Sequence, residues 1–473
     1  MSNSIRKKNF DFPGNSTLSV DYLKKFIDEY SLYFKAHRFD NTETAFNYAQ
    51  GLMKCAKGEA NMERMEEEIE NSVYRATQQF ISNSNWDREG LQKKTALDAS
   101  QLLDAKKQVN GLPTGYIIDE SGHLKKGDKS VGVSRQYAGV AGKVDNCQVG
   151  VYASLVNGIY ATIINECLFL PKSWTDHVDR CEDVGIPKAA MIFKTKPELA
   201  LEMIKQDIER GVKFDWIGGD GLYGHNYELG KGLDILGLFF VLDVHKDETV
   251  FTEEPKLEVP VRKSSKGYNP TKLKADKQAI RLDKLIEQIK PEEWRLEEIR
   301  DATKGKLILY VYKTTVWSWD GEEKKARKRT LIITKTTDNK PRVKYSFSNG
   351  EADQYSHQEY AYFVSQRYWV ERTFDNAKND LGMSDYQIRK WKGWHNHHAL
   401  VMLASLFIMK QQMDNHSQVP LLSFRDARIL VILQIYGSEK EIRQRLDQMY
   451  KRHTKRKYDI DLNYQIQTGN RFG

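Results

Sequence analysis

The sequence predicts an α/β protein: a mixed sheet flanked by helices, with an all-helical N-terminal domain before it and a β-rich insertion within it. Three observations carry this. Residues 1–105 show apolar residues at helical spacing and no strand pattern. From about residue 112, short apolar runs alternate first with turn residues and then with helical segments, the rhythm of a sheet with some parallel pairing. Residues 245–345 break that rhythm with extended, basic sequence before helical spacing returns.

The elements follow in order. Leu23, Phe26 and Ile27 share one helix face, and further helices are expected over 42–55 and 62–69. The run Glu66-Glu67-Glu68 leaves this region of mixed charge, suited to binding DNA ends or to dimerisation, or serving as plain scaffold. Residues 116–119 form a short strand, followed by Glu120-Ser121-Gly122 as turn chemistry. Residues 130–136 and 147–155 alternate as strands, and Asn157-Gly158 is a hairpin signal leading into a strand over 159–170, so a meander is expected. Thr195-Lys196-Pro197-Glu198 is a capping-box pattern with proline in the first turn, and Gly211 can end the helix it starts. A strand over 214–219 delivers Asp220, a helix over 226–236 follows, and a strand over 238–244 pairs in parallel at one edge of the sheet. In the insertion, a charged helix is expected over 275–299 and strands over 307–317 and 329–336. Phe363, Val370, Phe374, Ala377 and Leu381 then form an apolar helix stripe, and 399–409 a more buried helix. The division is a helical N-terminal domain (1–105), a core in two parts (106–244 and 346–410), the basic insertion (245–345) and a helical, basic C-terminal region (411–473).

Bulk properties narrow the function. With 40% hydrophobic and 11% aromatic residues over 473 positions, the chain has material for several packed domains, which excludes wholesale disorder. The net charge of +8 is concentrated: residues 256–345 hold 24 Lys/Arg against 13 Asp/Glu, and residues 440–457 hold eight against two. Such blocks suit a phosphate backbone, with salt-sensitive binding, or form a solvated lysine-rich surface. Cys55, Cys147, Cys167 and Cys181 show no CxxC spacing, which fits a reducing cytosol. The opening Met-Ser-Asn-Ser-Ile-Arg-Lys-Lys is followed by no apolar stretch, and the runs at 233–244 and 399–409 are too short to span a bilayer. A soluble, intracellular protein with no membrane partner is expected.

Three acids carry the chemistry. Asp119 and Asp220 each end an apolar strand, while Glu371 lies in a helix with Arg367 four residues before it and Lys378 seven after, on roughly one face. Two strand aspartates and a helix glutamate are the parts that hold a pair of Mg2+ ions against a phosphodiester. The plain alternative is an ordinary salt-bridged helix. His395 and His398, spaced as a zinc pair, sit beside Trp394 and Leu400, which favours a structural or DNA-facing role. Trp317 and Trp319, next to the basic run 324–329, offer base stacking or core packing. The glycines of 230–237 lack a P-loop ending.

The segment 367–378 resembles the Y-(2)-R-(3)-E-(6)-K signature of bacterial insertion-sequence DDE transposases, with Arg367, Glu371 and Lys378 matching and Val364 in the tyrosine position. The regions around Asp119 and Asp220 are similar to the two aspartate regions of that family, as are Gly142-Lys143-Val144-Asp145-Asn146-Cys147-Gln148 and Gly393-Trp394-His395-Asn396-His397-His398. The resemblance covers about residues 15–410. It implies an RNase H-like core of the retroviral-integrase superfamily with a β-rich insertion before the glutamate. It implies Asp119, Asp220 and Glu371 as catalytic metal ligands for two Mg2+ ions, with Mn2+ as a substitute, and Arg367 and Lys378 as contacts to DNA phosphates. The implied activity is cleavage at transposon ends and strand transfer into target DNA. The implied partners are double-stranded DNA of terminal repeats and target, and a second copy of the chain in a synaptic complex, in the bacterial cytoplasm at the nucleoid. An RNase H-like nuclease or resolvase without strand transfer, and a non-catalytic DNA-binding descendant, stay open.

Overall fold

The computed structural model describes residues 20–36, 38–70, 72–261, 270–302, 305–416, 421–436 and 439–468. The opening segment, part of the insertion and the extreme C-terminus lie outside them.

Five helices open the described chain: α1 (Val20–Asp28), α2 (Thr42–Lys54), α3 (Met62–Glu68), α4 (Tyr74–Ser82) and α5 (Arg88–Asn110). A two-residue strand pair, Lys35–Ala36 with Phe39–Asp40, interrupts them. Their apolar faces do not close on themselves. Leu23, Phe26, Leu52, Phe80 and Leu103 belong to one continuous core with Ile117 of the sheet and Phe407 of a later helix, and the rings of Phe26 and Phe407 are 5.2 Å apart. Each such buried side chain is worth about 2 kcal/mol, so packing on the sheet and the later helix adds to the contacts these helices make with one another.

The sheet has ten strands: β1 (Gly115–Leu124), β2 (Ser134–Ala138), β3 (Lys143–Asn157), β4 (Tyr160–Phe169), β5 (Trp216–Gly219), β6 (Phe240–Val244), β7 (Arg295–Ala302), β8 (Gly305–Ser318), β9 (Arg327–Thr336) and β10 (Val343–Ser348). Its order is β7-β8-β9-β10-β6-β5-β1-β3-β2, with β4 on the far half of β3. The class is mixed α/β, as the pattern predicts. Three expectations change. β1 does not turn after Asp119: Glu120, Ser121 and Gly122 stay paired with Val151, Gly150 and Val149 of β3, because β3 is long enough to keep their backbone groups bonded. The antiparallel part is not a simple meander, since β3 rather than β2 lies beside β1. The parallel strands β1, β5 and β6 lie in the middle of the sheet rather than at an edge, because β10 pairs with the outer side of β6.

That last pairing makes the insertion a continuation of the central sheet. Strands β7 to β10 extend it, over a smaller core of Val244, Val250, Leu282, Leu285, Val316, Leu331, Ile333, Tyr345 and Phe347. The charged helix expected over 275–299 is replaced by short pieces. Leu257–Glu258 pairs with Lys274–Ala275 and Thr249–Val250 with Ile280–Arg281, Leu282–Leu285 makes one turn, and β7 starts at Arg295. Pro291 sits inside the stretch and cannot donate the bond a helix interior needs.

The turn and cap signals are realised locally. The β3–β4 hairpin turns at Gly158 with φ +62. Helix α6 (Lys196–Arg210) starts with the complete Thr195/Glu198 capping box and ends at Gly211 in the left-handed region. After α7 (Tyr227–Ile235), the C-terminal half supplies α8 (His357–Asp380), α9 (Trp391–Asp414), α10 (Phe424–Tyr436) and α11 (Glu439–Thr468). Helix α8 packs across β1, β4 and β7, and α9 lies between β4 and the N-terminal helices α2, α4 and α5.

Candidate active site

Strand register assembles the site. In the parallel pair β1 and β5, Ile118 sits opposite Gly219; in β5 and β6, Gly219 sits opposite Leu242. The next residues along the three strands are Asp119, Asp220 and Asp243. Asp220 leaves its strand and caps the following turn, accepting from the Leu222 N–H at 2.9 Å. That turn is tucked against β6 so closely that a β-carbon on Gly224 would lie 1.9 Å from the Asp243 carbonyl oxygen, so only glycine permits the approach.

Carboxylate oxygens of Asp119, Glu120 and Asp220 all lie within 4.8 Å of one another. Glu120 is held by Lys196 at 2.9 Å and by the Tyr223 hydroxyl, which donates at 3.1 Å. Burial, with Asp220 and Glu120 as like-charged neighbours, pushes the Asp119 carboxyl up to about 8, against the pull of Arg367. Burial and Glu120 raise Asp220 as well, against the Leu222 N–H. Like charges gathered in partial burial are relieved by a proton or by a bound cation. The donors are all carboxylate oxygens, which suits a hard divalent ion such as Mg2+ or Mn2+ and not a thiol- or imidazole-seeking one. Among the described residues this is the one group of three or more His, Cys, Asp or Glu side chains near enough to share an ion.

Helix α8 faces this group. Its start is secured by a capping box between Ser356 and Glu359. One turn apart, Arg367 and Glu371 pair at 2.6 Å. The same guanidinium reaches Asp243 at 3.0 Å through Nε and stands 4.0 Å from Asp119 through Nη1. Glu371 therefore lies outside the close group and touches it through Arg367, with 52% of its side chain exposed. Further along, the Lys378 ammonium donates to the Gly122 carbonyl of β1 at 3.1 Å; burial draws its pKa down to about 8, opposed by Asp375 and Asp119.

The structure thus brings Asp119 and Asp220 together, joins Glu371 to them through Arg367, and sets Lys378 against the same strand. Two acids escaped the sequence reading. Glu120 looked like a turn residue, and Asp243 lay inside the apolar run 238–244, where an acid was itself the signal. The other candidates lie in other surroundings. His395 is buried against Glu166 at 2.8 Å, and His398 stacks on Trp394 with ring centroids 3.9 Å apart. Trp317 and Trp319 are both partly buried, and the Trp319 indole donates to the Glu323 carbonyl at 2.7 Å. Part of the basic block is consumed internally: Arg327 pairs with Asp234 at 2.9 Å and Glu323 at 2.7 Å, and Arg329 pairs with Asp234 at 2.6 Å.

Comparison with known proteins adds the lineage. A probable transposase for the insertion sequence element IS701 from Microchaete diplosiphon is 27% identical over 374 residues, which is 77% of this chain and 82% of that protein. The cryo-EM structure of a piggyBac transposase synaptic complex with hairpin DNA aligns over 92% of this chain and 82% of its own, at a TM-score of 0.40 and 10% identity. The family described as DDE superfamily endonuclease matches residues 32–306. That match covers more than half of the sequence and takes in Asp119, Glu120, Asp220 and Asp243, so the chain belongs to the DDE superfamily endonucleases.

Proposed function

We propose that this chain is a DDE transposase that cuts DNA at transposon ends and joins the freed ends to target DNA, the cut-and-paste route. The observation that carries this reading is the register of β1 and β5, which sets Asp119 beside Asp220 with both carboxyl groups raised in pKa. A strand that carries the first acid, with an antiparallel hairpin on one side and two parallel strands on the other, supports an RNase H-like core for 106–244 and 346–410. The basic insertion 245–345 and the basic region 411–473 fit the backbone of double-stranded DNA.

In this reading Asp119 and Asp220 are the principal ligands of two Mg2+ ions, with Mn2+ as a substitute, and Glu371 completes the set from α8. Bound there, the ions supply activation of the attacking oxygen and stabilisation of the leaving one. Asp119 is fixed in a continuous strand and Asp220 by its cap bond, so neither has to be ordered at the moment of reaction. Arg367 and Lys378 meet the phosphates beside the scissile bond. The attacking oxygen is first that of water and then the freed 3′-hydroxyl. Two ends are held by two copies of the chain, with residues 1–105 as the DNA-end-binding or dimerising part, at the bacterial nucleoid.

The experiment is direct. Asp119→Asn, Asp220→Asn and Glu371→Gln should each abolish metal-dependent cleavage of terminal-repeat DNA while binding of that DNA persists. Metal-dependent cutting retained by one of them removes that residue from the site. Strand transfer from pre-cut ends distinguishes a transposase from a nuclease or resolvase that only cuts, and absence of both activities identifies a non-catalytic descendant.

A further inference from the structure

The guanidinium of Arg367 occupies the space between helix and strands. It bonds Glu371 at 2.6 Å and Asp243 at 3.0 Å and approaches Asp119 to 4.0 Å. It therefore compensates the carboxylates that a metal would otherwise neutralise. Its charge cannot be shed by deprotonation, so an incoming divalent cation must displace it rather than wait for it to become neutral. Asp243 differs from the other acids of the site. It is next to Asp220 in the strand order, yet it is outside the close group of three. The Ser346 hydroxyl donates to it at 2.7 Å and Lys344 lies 3.9 Å away, so it is anchored on the β6–β10 side.

We propose that Arg367 competes with divalent ions for the carboxylates of this site and that Asp243 is a positioning residue that draws it aside as such ions enter, freeing Glu371 to close on Asp119 and Asp220. The bond from Nε to Asp243 is the pivot, and the Nη1 contacts to Glu371 and Asp119 are the ones surrendered. This inference rests on the metal-site reading above.

The test measures Mn2+ binding to the full-length chain without DNA, by the electron paramagnetic resonance signal of free Mn2+. Thermal melts confirm that each variant is folded. Arg367→Gln removes the competing charge and should tighten Mn2+ binding about tenfold. Arg367→Lys keeps a charge but loses the fork that spans Asp243 and Glu371, and should tighten it roughly threefold. Asp243→Asn should weaken binding severalfold in the parent chain, because Arg367 then rests wholly on Glu371 and Asp119. It should have no effect in the Arg367→Gln background. Unchanged or weaker binding in whichever Arg367 variant folds overturns the proposal. So does an equal loss from Asp243→Asn in both backgrounds, which would make Asp243 a ligand in its own right. The underlying reading is judged separately: Asp119→Asn and Asp220→Asn should lose Mn2+, and parent-like binding in both would remove the metal site itself.

Discussion

Strand β1 carries two clusters of ionisable side chains only a few residues apart, and they behave in opposite ways. At Asp119 and Glu120 it enters the carboxylate group; at His123 it enters a buried set of imidazoles. Each histidine has found a local partner. His123 lies 2.8 Å from both the Ser384 and Tyr152 hydroxyls, His397 lies 2.8 Å from the Tyr48 hydroxyl, and His398 stacks on Trp394. Burial, then the neighbouring Lys125, draws His397 down to about 3, and burial and His398 hold His123 well below the ordinary range. These rings pack as neutral hydrogen-bonding aromatics. The carboxylates are also desolvated, but as acids they repel one another where neutral rings do not. Burial and a shifted pKa are common to both clusters; what sets the carboxylates apart is like charge gathered at one point.

The sharpest way to break this contrast is Asp220→Asn. Cleavage of terminal DNA should fall roughly a thousandfold or more, while the melting temperature of the metal-free protein holds or rises because a like charge has gone. A variant that melts early and still cuts would place the two clusters in the same class. Next in size is His398→Ala, which empties the space beside Trp394 and should cost about 3 kcal/mol in urea unfolding. Cutting per folded molecule should not change.

The pH dependence separates the clusters by sign. Asp119 titrates near 8 in the folded chain against an ordinary 3.8, so the folded state holds the extra proton between those values. Its contribution to stability is whole at low pH and is lost as pH rises through 8. His397 runs the other way: it titrates near 3 against an ordinary 6.5, so its contribution is whole above 6.5 and is lost as pH falls toward 3. Melts in a chelating buffer from pH 5 to 8 should show Asp119→Asn removing a fall in stability with rising pH across that whole range, while the rise up to pH 6.5 that His397 contributes stays in place. The smallest effect belongs to Thr195→Ala, outside both clusters. Loss of the α6 capping box should cost about 1 kcal/mol and leave both cutting and pH profile unaltered.

Much of the local structure was legible. The Asn157-Gly158 turn, the α6 capping box, the strands over 307–317 and 329–336, and the helical spacing of Arg367, Glu371 and Lys378 all depend on residues close in sequence. Where the reading went astray, the deciding partner was remote. Glu120-Ser121-Gly122 has turn composition, but the length of β3 keeps it extended. The charged stretch before β7 has helical composition, but Pro291 and pairing to residues 249–258 divide it.

By itself the sequence determined the candidates for the chemistry: acids at the ends of two apolar runs, and a helix with cation, acid and cation on one face. Spacing of 2 or 3.6 residues is a local property and survives in a one-dimensional record. Only the tertiary structure decided how these candidates meet. The alignment of Ile118 with Gly219 and of Gly219 with Leu242 sets Asp119, Asp220 and Asp243 side by side. The fold also admits Glu120 to the group and puts Arg367, 124 residues from Asp243, between Glu371 and the aspartates. Register between distant strands is chosen by which pairing buries the apolar faces of the whole sheet and its helices, and no short window of residues contains that choice.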